Sequence, residues 1–280
     1  MKKVLAAAIL GFVGLAGCGG DAEPARTELT ISMYGEPVVS NSPGNAVPTP
    51  SDTQATIQAL QGALAAQGVN AAVTPQVMNG TSLHTLVTVG DNGHPPTADQ
   101  FKTDPSSYVL VNFRLDDMVT PWTDPAQQAA AEQFQRDLEV FIQRMQTAGK
   151  QVWLVTPIAT CDYPRGSSSY SVRYRNYTAV DALTSAISQA VGKTGGHEVG
   201  ALTYQYAWVY DSTAQLYGWV NTVTQGHMGA DCRTPDAYLQ NMRIQLIAGT
   251  IAAFSRGAGV SNPASHASAP TAPSVASAPH

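Results

Sequence analysis

The sequence has few charged residues. Asp, Glu, Lys and Arg make up 12% of its 280 residues, about half of the ~25% that is usual for soluble domains. The formal net charge is −5, and Lys and Arg do not cluster as they must to displace counterions from a phosphate backbone. We therefore expect no nucleic-acid partner. The 44% of hydrophobic residues still provides enough apolar side chains for a folded core.

Cysteine is scarce as well, with only Cys18, Cys161 and Cys232 in the chain. No Cys-x-x-Cys or His-x-x-x-His spacing occurs, so we expect no metal site and no cofactor. Once Cys18 is set aside, the even pair Cys161 and Cys232 predicts one disulfide in an oxidising compartment. Two separate buried thiols are the alternative.

Long apolar runs are missing except at the N-terminus. Residues 4–16 form an apolar stretch behind a short basic segment, which is shorter than the ~20 residues that span a bilayer. This pattern is typical of a secretory signal over residues 1–17. The stretch ends in Leu15-Ala16-Gly17-Cys18, which resembles a bacterial lipobox. The resemblance implies cleavage before Cys18 and lipidation of its thiol, and an ordinary signal peptide with an accidental cysteine is the alternative.

The two ends of the chain therefore predict an anchored protein with a loose tail. Gly19 rather than Asp follows Cys18, which in a Gram-negative host favours the outer membrane, facing the periplasm or the cell surface. Residues 18–28 would be the lipidated tether. Residues 258–280 are rich in Ala, Pro and Ser and contain no aromatic residue. Such a segment predicts disorder because it buries too little apolar surface to offset its ordering entropy.

Between the tether and the tail, β-rich apolar runs alternate with helical periods over one domain, residues 29–257. Strands are predicted at 29–34, 69–73, 108–113, 151–155 and within 199–209. Helices are predicted from Ser51 or Asp52 to 67, from Asp124-Pro125 to 148, at 177–191, and from Thr234-Pro235 to 254. A helix start is also predicted at 82–86, with a strand over 83–89 as the alternative. This alternation predicts βαβ units. The expected fold class is α/β, a three-layer α/β/α sandwich with a parallel sheet.

Four segments at or near the predicted strand ends contain glycine or paired acidic residues. They are Gly35-Glu36-Pro37, Asn79-Gly80-Thr81-Ser82, Arg114-Leu115-Asp116-Asp117 and Thr224-Gln225-Gly226-His227. In order and spacing they resemble the sequence blocks of the SGNH/GDSL hydrolases, a family of lipases, esterases and polysaccharide acetyl esterases. The resemblance implies a flavodoxin-like sandwich with strand order 2-1-3-4-5.

The resemblance also assigns roles to single positions. The family's blocks carry a nucleophilic Ser in Gly-Asp-Ser, an oxyanion-hole Gly, an Asn in Gly-x-Asn-Asp, and the pair Asp-x-x-His. Gly80 and His227 match the oxyanion glycine and the catalytic histidine. Pro37 stands at the position of the Ser, Asp116 at that of the Asn, and Thr224 at that of the Asp.

These three replacements remove what ester hydrolysis requires. Pro37 has neither a hydroxyl to attack with nor a backbone N–H to donate to an oxyanion. Asp116 replaces an amide donor by an ionised acceptor, which repels a developing oxyanion. Thr224 cannot stabilise an imidazolium as a carboxylate does. The replacements predict a chain that kept the scaffold and lost the serine esterase site.

Two features of these loops keep a second interpretation open. Ser40 or Ser42, a few residues beyond Pro37, could act as the nucleophile with His227 as its base. The same serines could equally be polar loop residues, and His227 could be an ordinary surface histidine.

The acidic residues at the strand ends have two interpretations as well. Glu36, Asp116 and Asp117 would meet His227 in one cleft next to Gly35 and could bind a ligand or perform acid–base chemistry. Asp116 and Asp117 could instead cap a turn.

Three functions follow as expectations. The first is an envelope lipoprotein that binds a glycan or another envelope ligand, or performs altered chemistry on it. The second is an active serine esterase or acyltransferase acting on lipid or acetylated polysaccharide esters. The third is a structural lipoprotein. Each has the membrane as a partner through the N-terminal lipid.

Overall fold

The computed structural model describes residues 29–40, 48–91, 93–160, 178–211, 216–224, 226–229, 231 and 233–257. Helices and strands follow one another in these ranges as β1 (Leu29–Gly35), α1 (Pro50–Ala66), β2 (Ala71–Val77), α2 (Leu83–Thr88), β3 (Tyr108–Asn112), α3 (Pro125–Thr147), β4 (Gln151–Val155), α4 (Ala179–Thr194), β5 (His197–Val199), β6 (Tyr206–Asp211), β7 (Leu216–Asn221) and α5 (Ala237–Ser255).

Five of these strands form one parallel sheet with the order β2-β1-β3-β4-β5. This is the flavodoxin-like order of doubly wound sheets. It confirms the predicted α/β class and the strand order that the family resemblance implies. The remaining pair, β6 and β7, is an antiparallel hairpin outside this sheet.

Helices cover both faces of the sheet, which gives three layers. Side chains of α2, α3 and α4 pack with one face in a first apolar core, and side chains of α1 and α5 pack with the other face in a second. Neighbouring strand residues alternate between them: Val109 and Val111 belong to the first core, and Leu110 to the second. A strand that is buried on both faces reads as an unbroken apolar run, and this is why β1, β3 and β4 are visible in the sequence.

Helix starts differ from the predicted ones by a few residues. The N-cap of α1 is Thr49 rather than Ser51 or Asp52, and Asp52 forms the second half of a capping box with it. The N-cap of α5 is Asp236 rather than Thr234. Asp124 and Pro125 begin α3 as predicted, because an Asx cap followed by proline is a strong local signal.

The strands after β4 depart most from expectation. The sequence predicts the last strand of the sheet within residues 199–209, whereas β5 occupies His197–Val199. Most of the predicted range contributes to the hairpin, in which Trp208 lies opposite Trp219. The strand predicted at 69–73 also begins later, at Ala71, and runs through Pro75, which is tolerated because β2 is an edge strand.

A buried polar cluster lies on the side of β1 that packs against the first core. Asp104 accepts hydrogen bonds from the hydroxyls of Ser32 (2.8 Å) and Tyr34 (2.9 Å), and from the backbone and hydroxyl of Ser106. Lys150 Nζ lies 3.6 Å from Asp104 Oδ1, and the two side chains are 3% and 0% exposed. Such a buried pair is tolerated because each partner has several further hydrogen bonds.

Candidate functional site

A cavity of about 120 Å³ opens at the carboxyl end of the parallel sheet. Its walls come from the segments that follow β1, β3 and β4, and from α4 and the start of α5. Because β2 lies on one side of β1 and β3 on the other, the cavity sits where the chain reverses its direction of winding. Ligand sites of open α/β sheets occur at this switch point.

Gly35 brings the end of β1 into close contact with β3. Its φ is +94°, and a Cβ at this position would lie 2.7 Å from backbone atoms of Asn112 and Phe113. Only glycine combines this left-handed conformation with so close an approach. The predicted site residue Gly35 therefore has a structural role that places the next residues at the cavity.

Asn112, the last residue of β3, fastens the loop that follows β1. Its backbone carbonyl accepts a hydrogen bond from the Glu36 N–H (2.8 Å). Its side-chain amide donates to the carbonyls of Glu36 (2.8 Å) and Pro37 (3.4 Å). These bonds hold Pro37 at the cavity wall, in the position that the family resemblance assigns to the nucleophile. The structure thus places a residue without hydroxyl or N–H there.

Helix α5 holds the same loop further along, at Ser40. Gln240 accepts a hydrogen bond from the Ser40 N–H (3.0 Å) and donates one to the Ser40 carbonyl (2.7 Å). Ser40 lines the cavity, so it is the predicted alternative nucleophile that the described structure brings to the site. Ser42 lies outside the described residues.

Three arginines and one carboxyl group give the cavity its charge: Arg114, Arg233, Arg243 and Glu36 line it. Arg114 Nη2 lies 3.6 Å from Glu36 Oε2. Burial raises the pKa of Glu36, and the positive charge of Arg114 opposes this rise. Glu36 is therefore at the site as predicted, but it acts there as the partner of an arginine that the sequence analysis did not single out.

Arg243 extends from α5 towards the cavity and is 9% exposed. Its Nη2 donates to the Thr156 carbonyl (2.7 Å) and, at 3.4 Å, to Asn112 Oδ1. Burial lowers the pKa of Arg243 to about 10, so that the guanidinium remains charged at neutral pH. Its Nε is buried without a hydrogen-bond partner. No sequence signal marks Arg243, because the direction of its side chain depends on how α5 packs on the sheet.

The segment before α5 that reaches the cavity is not the predicted one. Asp231 and Thr234 have the Asp-x-x-His spacing with threonine in place of histidine, and Thr234 lines the cavity. The Thr234 hydroxyl donates to Asp231 Oδ2 (2.6 Å). Burial alone would raise the pKa of Asp231, but the hydrogen bonds from Thr234 and Arg233 lower it. A threonine cannot act as a general base, so this pair provides no acyl-transfer chemistry.

His227 lies in the segment before α5, next to the N-cap of that helix, and is not among the described residues that line the cavity. Its Nδ1 is 2.8 Å from Asp236 Oδ2, and its ring stacks on Tyr238 with centroids 4.3 Å apart. The hydrogen bond from the Leu239 N–H and the contact with His227 lower the pKa of Asp236. The partner of the His227 side chain is thus Asp236, whereas Thr224 contacts His227 through its backbone carbonyl, which accepts from the His227 N–H (3.1 Å). Thr224 is buried, and its hydroxyl has no hydrogen-bond partner.

The other predicted site residues lie in exposed turns. Gly80, which has a φ of +88°, lies in the exposed turn before α2 and is not among the described residues that line the cavity. Asp116 and Asp117 are exposed as well. Asp117 accepts from the Val119 (2.7 Å) and Thr120 (3.0 Å) N–H groups, and hydrogen bonds led by that from the Thr120 side chain lower its pKa. The turn-capping interpretation therefore describes Asp117.

Some predicted features cannot be placed. Cys18, Cys161 and Cys232 lie outside the described residues, so the lipidation site and the disulfide stay predictions. Within the described ranges, no three His, Cys, Asp or Glu side chains form a group that could hold a metal ion. No helix in that part of the chain is both long enough and apolar enough to cross a membrane.

Comparison with known proteins gives matches only among solved structures. No family model and no curated protein matches this sequence. The psychrotrophic esterase EstA from Pseudoalteromonas sp. is similar at 13% identity, over 82% of this chain and 100% of that one, with a TM-score of 0.47. TesA matches at 14% identity over 79% and 97%, with a TM-score of 0.45. An acetyl-xylooligosaccharide esterase from Geobacillus matches at 12% identity over 85% and 97%, with a TM-score of 0.44.

These observations define the class of fold. The chain is a three-layer α/β/α protein with strand order β2-β1-β3-β4-β5, which is the order that the predicted resemblance to the SGNH/GDSL hydrolases implies. Matches at 12–14% identity with TM-scores below 0.5 carry no information about activity, which has to be argued from the cavity.

Proposed function

We propose that this chain is an envelope lipoprotein whose hydrolase-like domain binds a glycan or another envelope ligand at the sheet edge and has lost the serine esterase site. The observation that carries the proposal is Pro37 at the cavity wall, fixed by Asn112 in the place of a nucleophile. A cavity at the switch point supports binding. A proline at the position of attack argues against acyl transfer.

The remaining groups in the cavity support the same conclusion. Among its described lining residues there is no histidine, lysine or cysteine, so Glu36 is the only side chain there that could accept a proton at neutral pH. Glu36 lies 3.6 Å from Arg114 and is engaged with that charge. Nucleophilic catalysis by a hydroxyl needs a base within hydrogen-bond reach. Arg114 competes with any such hydroxyl for the carboxylate of Glu36.

One observation favours the esterase alternative. Ser40 lines the cavity, and Gln240 holds its backbone on both sides. An esterase built on Ser40 would have to use Glu36 as its base, or reach His227 by a movement of the segment before α5. The binding function requires neither, and we therefore prefer it.

Turnover of p-nitrophenyl acetate tests the loss of activity. We expect the purified chain to hydrolyse this ester no faster than its Ser40→Ala and His227→Ala variants. Ser107→Ala is the matched control, because Ser107 is exposed and precedes β3 at the opposite end of the sheet. The chain would be an active esterase if Ser40→Ala or His227→Ala abolished turnover while Ser107→Ala retained it.

The membrane anchor is tested separately. The proposal rests on the lipobox-like Leu15-Ala16-Gly17-Cys18 and predicts that the expressed chain incorporates labelled palmitate and sediments with membranes. Cys18→Ser should end both. A variant that still sediments and carries label would contradict lipidation at Cys18, whereas the function proposed for the cavity would be unaffected.

A further inference from the structure

The charges around the cavity do not balance. Glu36 lies beside Arg114, and the charge of Arg233 acts on the carboxylates of Asp117 and Asp231. Within the described part of the chain, no carboxylate lies within ion-pair distance of Arg243. Among the described residues, one positive charge in the cavity wall is therefore left without a counterion.

Arg243 is also incompletely hydrogen-bonded. Both of its hydrogen bonds to described residues use Nη2. Its Nε is buried and has no partner, and Nη1 takes part in no hydrogen bond with the described residues. A buried charge without a counterion is costly, and a buried donor without an acceptor adds to this cost. A guanidinium that lines a cavity in this state is suited to receive an anion.

We propose that the cavity binds the carboxylate of a small organic acid, with Arg243 as its anchor. This deepens the proposed binding function and rests on it. A guanidinium pairs with a carboxylate through two parallel N–H···O hydrogen bonds, which phosphate also accepts. Glu36 distinguishes the two anions, because a carboxylate in the same small cavity repels a phosphate dianion more than a monoanion.

The rest of the cavity suits the body of such an acid. Apolar side chains from the loops and from α4 form much of the wall: Val38, Met118, Pro157, Ile158, Val180 and Leu183. A short apolar chain attached to the carboxylate would bury its surface against them. The carboxylate could belong to a free short-chain acid or to an acidic sugar of a glycan, and the experiment distinguishes these sources.

Titration calorimetry with the full chain tests the inference, using butyrate, glucuronate, inorganic phosphate, and the neutral analogues butyramide and glucose. We expect butyrate to bind if the natural ligand is a free acid, and glucuronate to bind if it is an acidic sugar. The neutral analogues butyramide and glucose should show no binding to the chain. Arg243→Gln should weaken binding of the carboxylate roughly 10- to 100-fold, as the loss of a charge-assisted pair does. Arg136→Gln is the matched control, because Arg136 is exposed on α3.

Several outcomes would overturn the proposal. The proposal fails if neither carboxylate binds, or if butyramide binds as tightly as butyrate. It also fails if phosphate binds as tightly as either carboxylate, or if the Arg243→Gln variant binds the carboxylate as tightly as the parent chain does. The comparison of butyrate with butyramide uses only the unaltered chain, so it decides the question even where Arg243→Gln does not fold. If only neutral sugars bind, the inference that the ligand is a carboxylate is wrong, but the proposed binding function remains. Ester turnover, in contrast, would refute the proposed function.

Discussion

Gly35 shows how one residue positions the cavity. A Cβ there would meet the backbone of Asn112 and Phe113 at 2.7 Å, so Gly35→Ala adds a steric clash to a strained φ. We expect a loss of about 2–4 kcal/mol in the free energy of unfolding, measured by urea denaturation. Gly93→Ala is the matched control, because Gly93 has a φ of +81° but no atom within 4 Å of its added Cβ. Equal losses in the two variants would mean that the approach to β3 is unimportant.

Asp104 is the residue on which the buried polar cluster depends. Asp104→Ala removes the acceptor of the Ser32 and Tyr34 hydroxyls and leaves the charge of Lys150 buried. Breaking such a pair costs about 3–5 kcal/mol, which urea denaturation would detect. Asp99→Ala is the control, since Asp99 pairs with Lys102 on the surface, and we expect little change there. A small loss for Asp104→Ala would contradict the role of the cluster.

The same carboxyl group should contribute to the dependence of stability on pH. Burial alone would raise the pKa of Asp104, but hydrogen bonds from Ser106, Ser32 and Tyr34 outweigh it and lower the pKa. A group whose pKa is lower in the folded state stabilises fully above its unfolded value of about 3.9, and this stability is lost as pH falls through the folded pKa.

We therefore expect the unfolding free energy of the parent chain to fall more steeply than that of Asp104→Asn as the pH is lowered from about 4.5 to 2. Urea midpoints measured across this range provide the test, with Asp99→Asn as the control. Parallel curves for the parent and Asp104→Asn would show that Asp104 does not titrate abnormally.

The site could be predicted from the sequence only in part, and the reason is visible residue by residue. Gly35 ends β1, and Glu36, Pro37 and Ser40 follow it closely, so the sequence predicts their place because a strand end fixes where its next residues lie. Arg243 was not predicted, since its contact with the cavity depends on the rotation and packing of α5. The family's Asp-x-x-His block predicts a histidine here and so points to His227, whereas among the described residues it is Thr234 that lines the cavity.

At the level of helices and strands, α4 is defined by a local signal that can be tested. Thr178 and Asp181 form a capping box, in which the Thr178 hydroxyl accepts from the Asp181 N–H. Thr178→Ala should cost about 1 kcal/mol of stability, measured by thermal or urea unfolding. Thr250→Ala, at a half-buried position in the interior of α5, is the control, because alanine is the better helix former there. An equal loss for both would argue against the cap.

The elements themselves were largely visible in the sequence, and the failures have a physical cause. Strands β1, β3 and β4 are buried on both faces, so their apolar runs are continuous. The segment after β5 is rich in aromatic β-formers, which are equally compatible with a sheet strand and with a hairpin. Whether such a strand joins the sheet depends on its pairing, and local sequence does not encode this for β6 and β7.

On the scale of the whole molecule, two apolar cores on either side of one parallel sheet present a cavity at the carboxyl edge. The low charge of the sequence makes the arginines in its wall more conspicuous. Three of the 15 Lys and Arg residues line this one cavity. The fold is a three-layer α/β/α sandwich, and the described lining residues of the cavity carry a net positive charge.

We propose that no serine in this chain is an activated nucleophile. The most direct test is incubation of the full chain with a fluorophosphonate probe, followed by intact-mass and peptide mass spectrometry. Such probes react with activated serines, and Pro37 offers no hydroxyl. We expect an unchanged mass and no labelled peptide. A stoichiometric adduct on Ser40 or Ser42 would contradict this proposal.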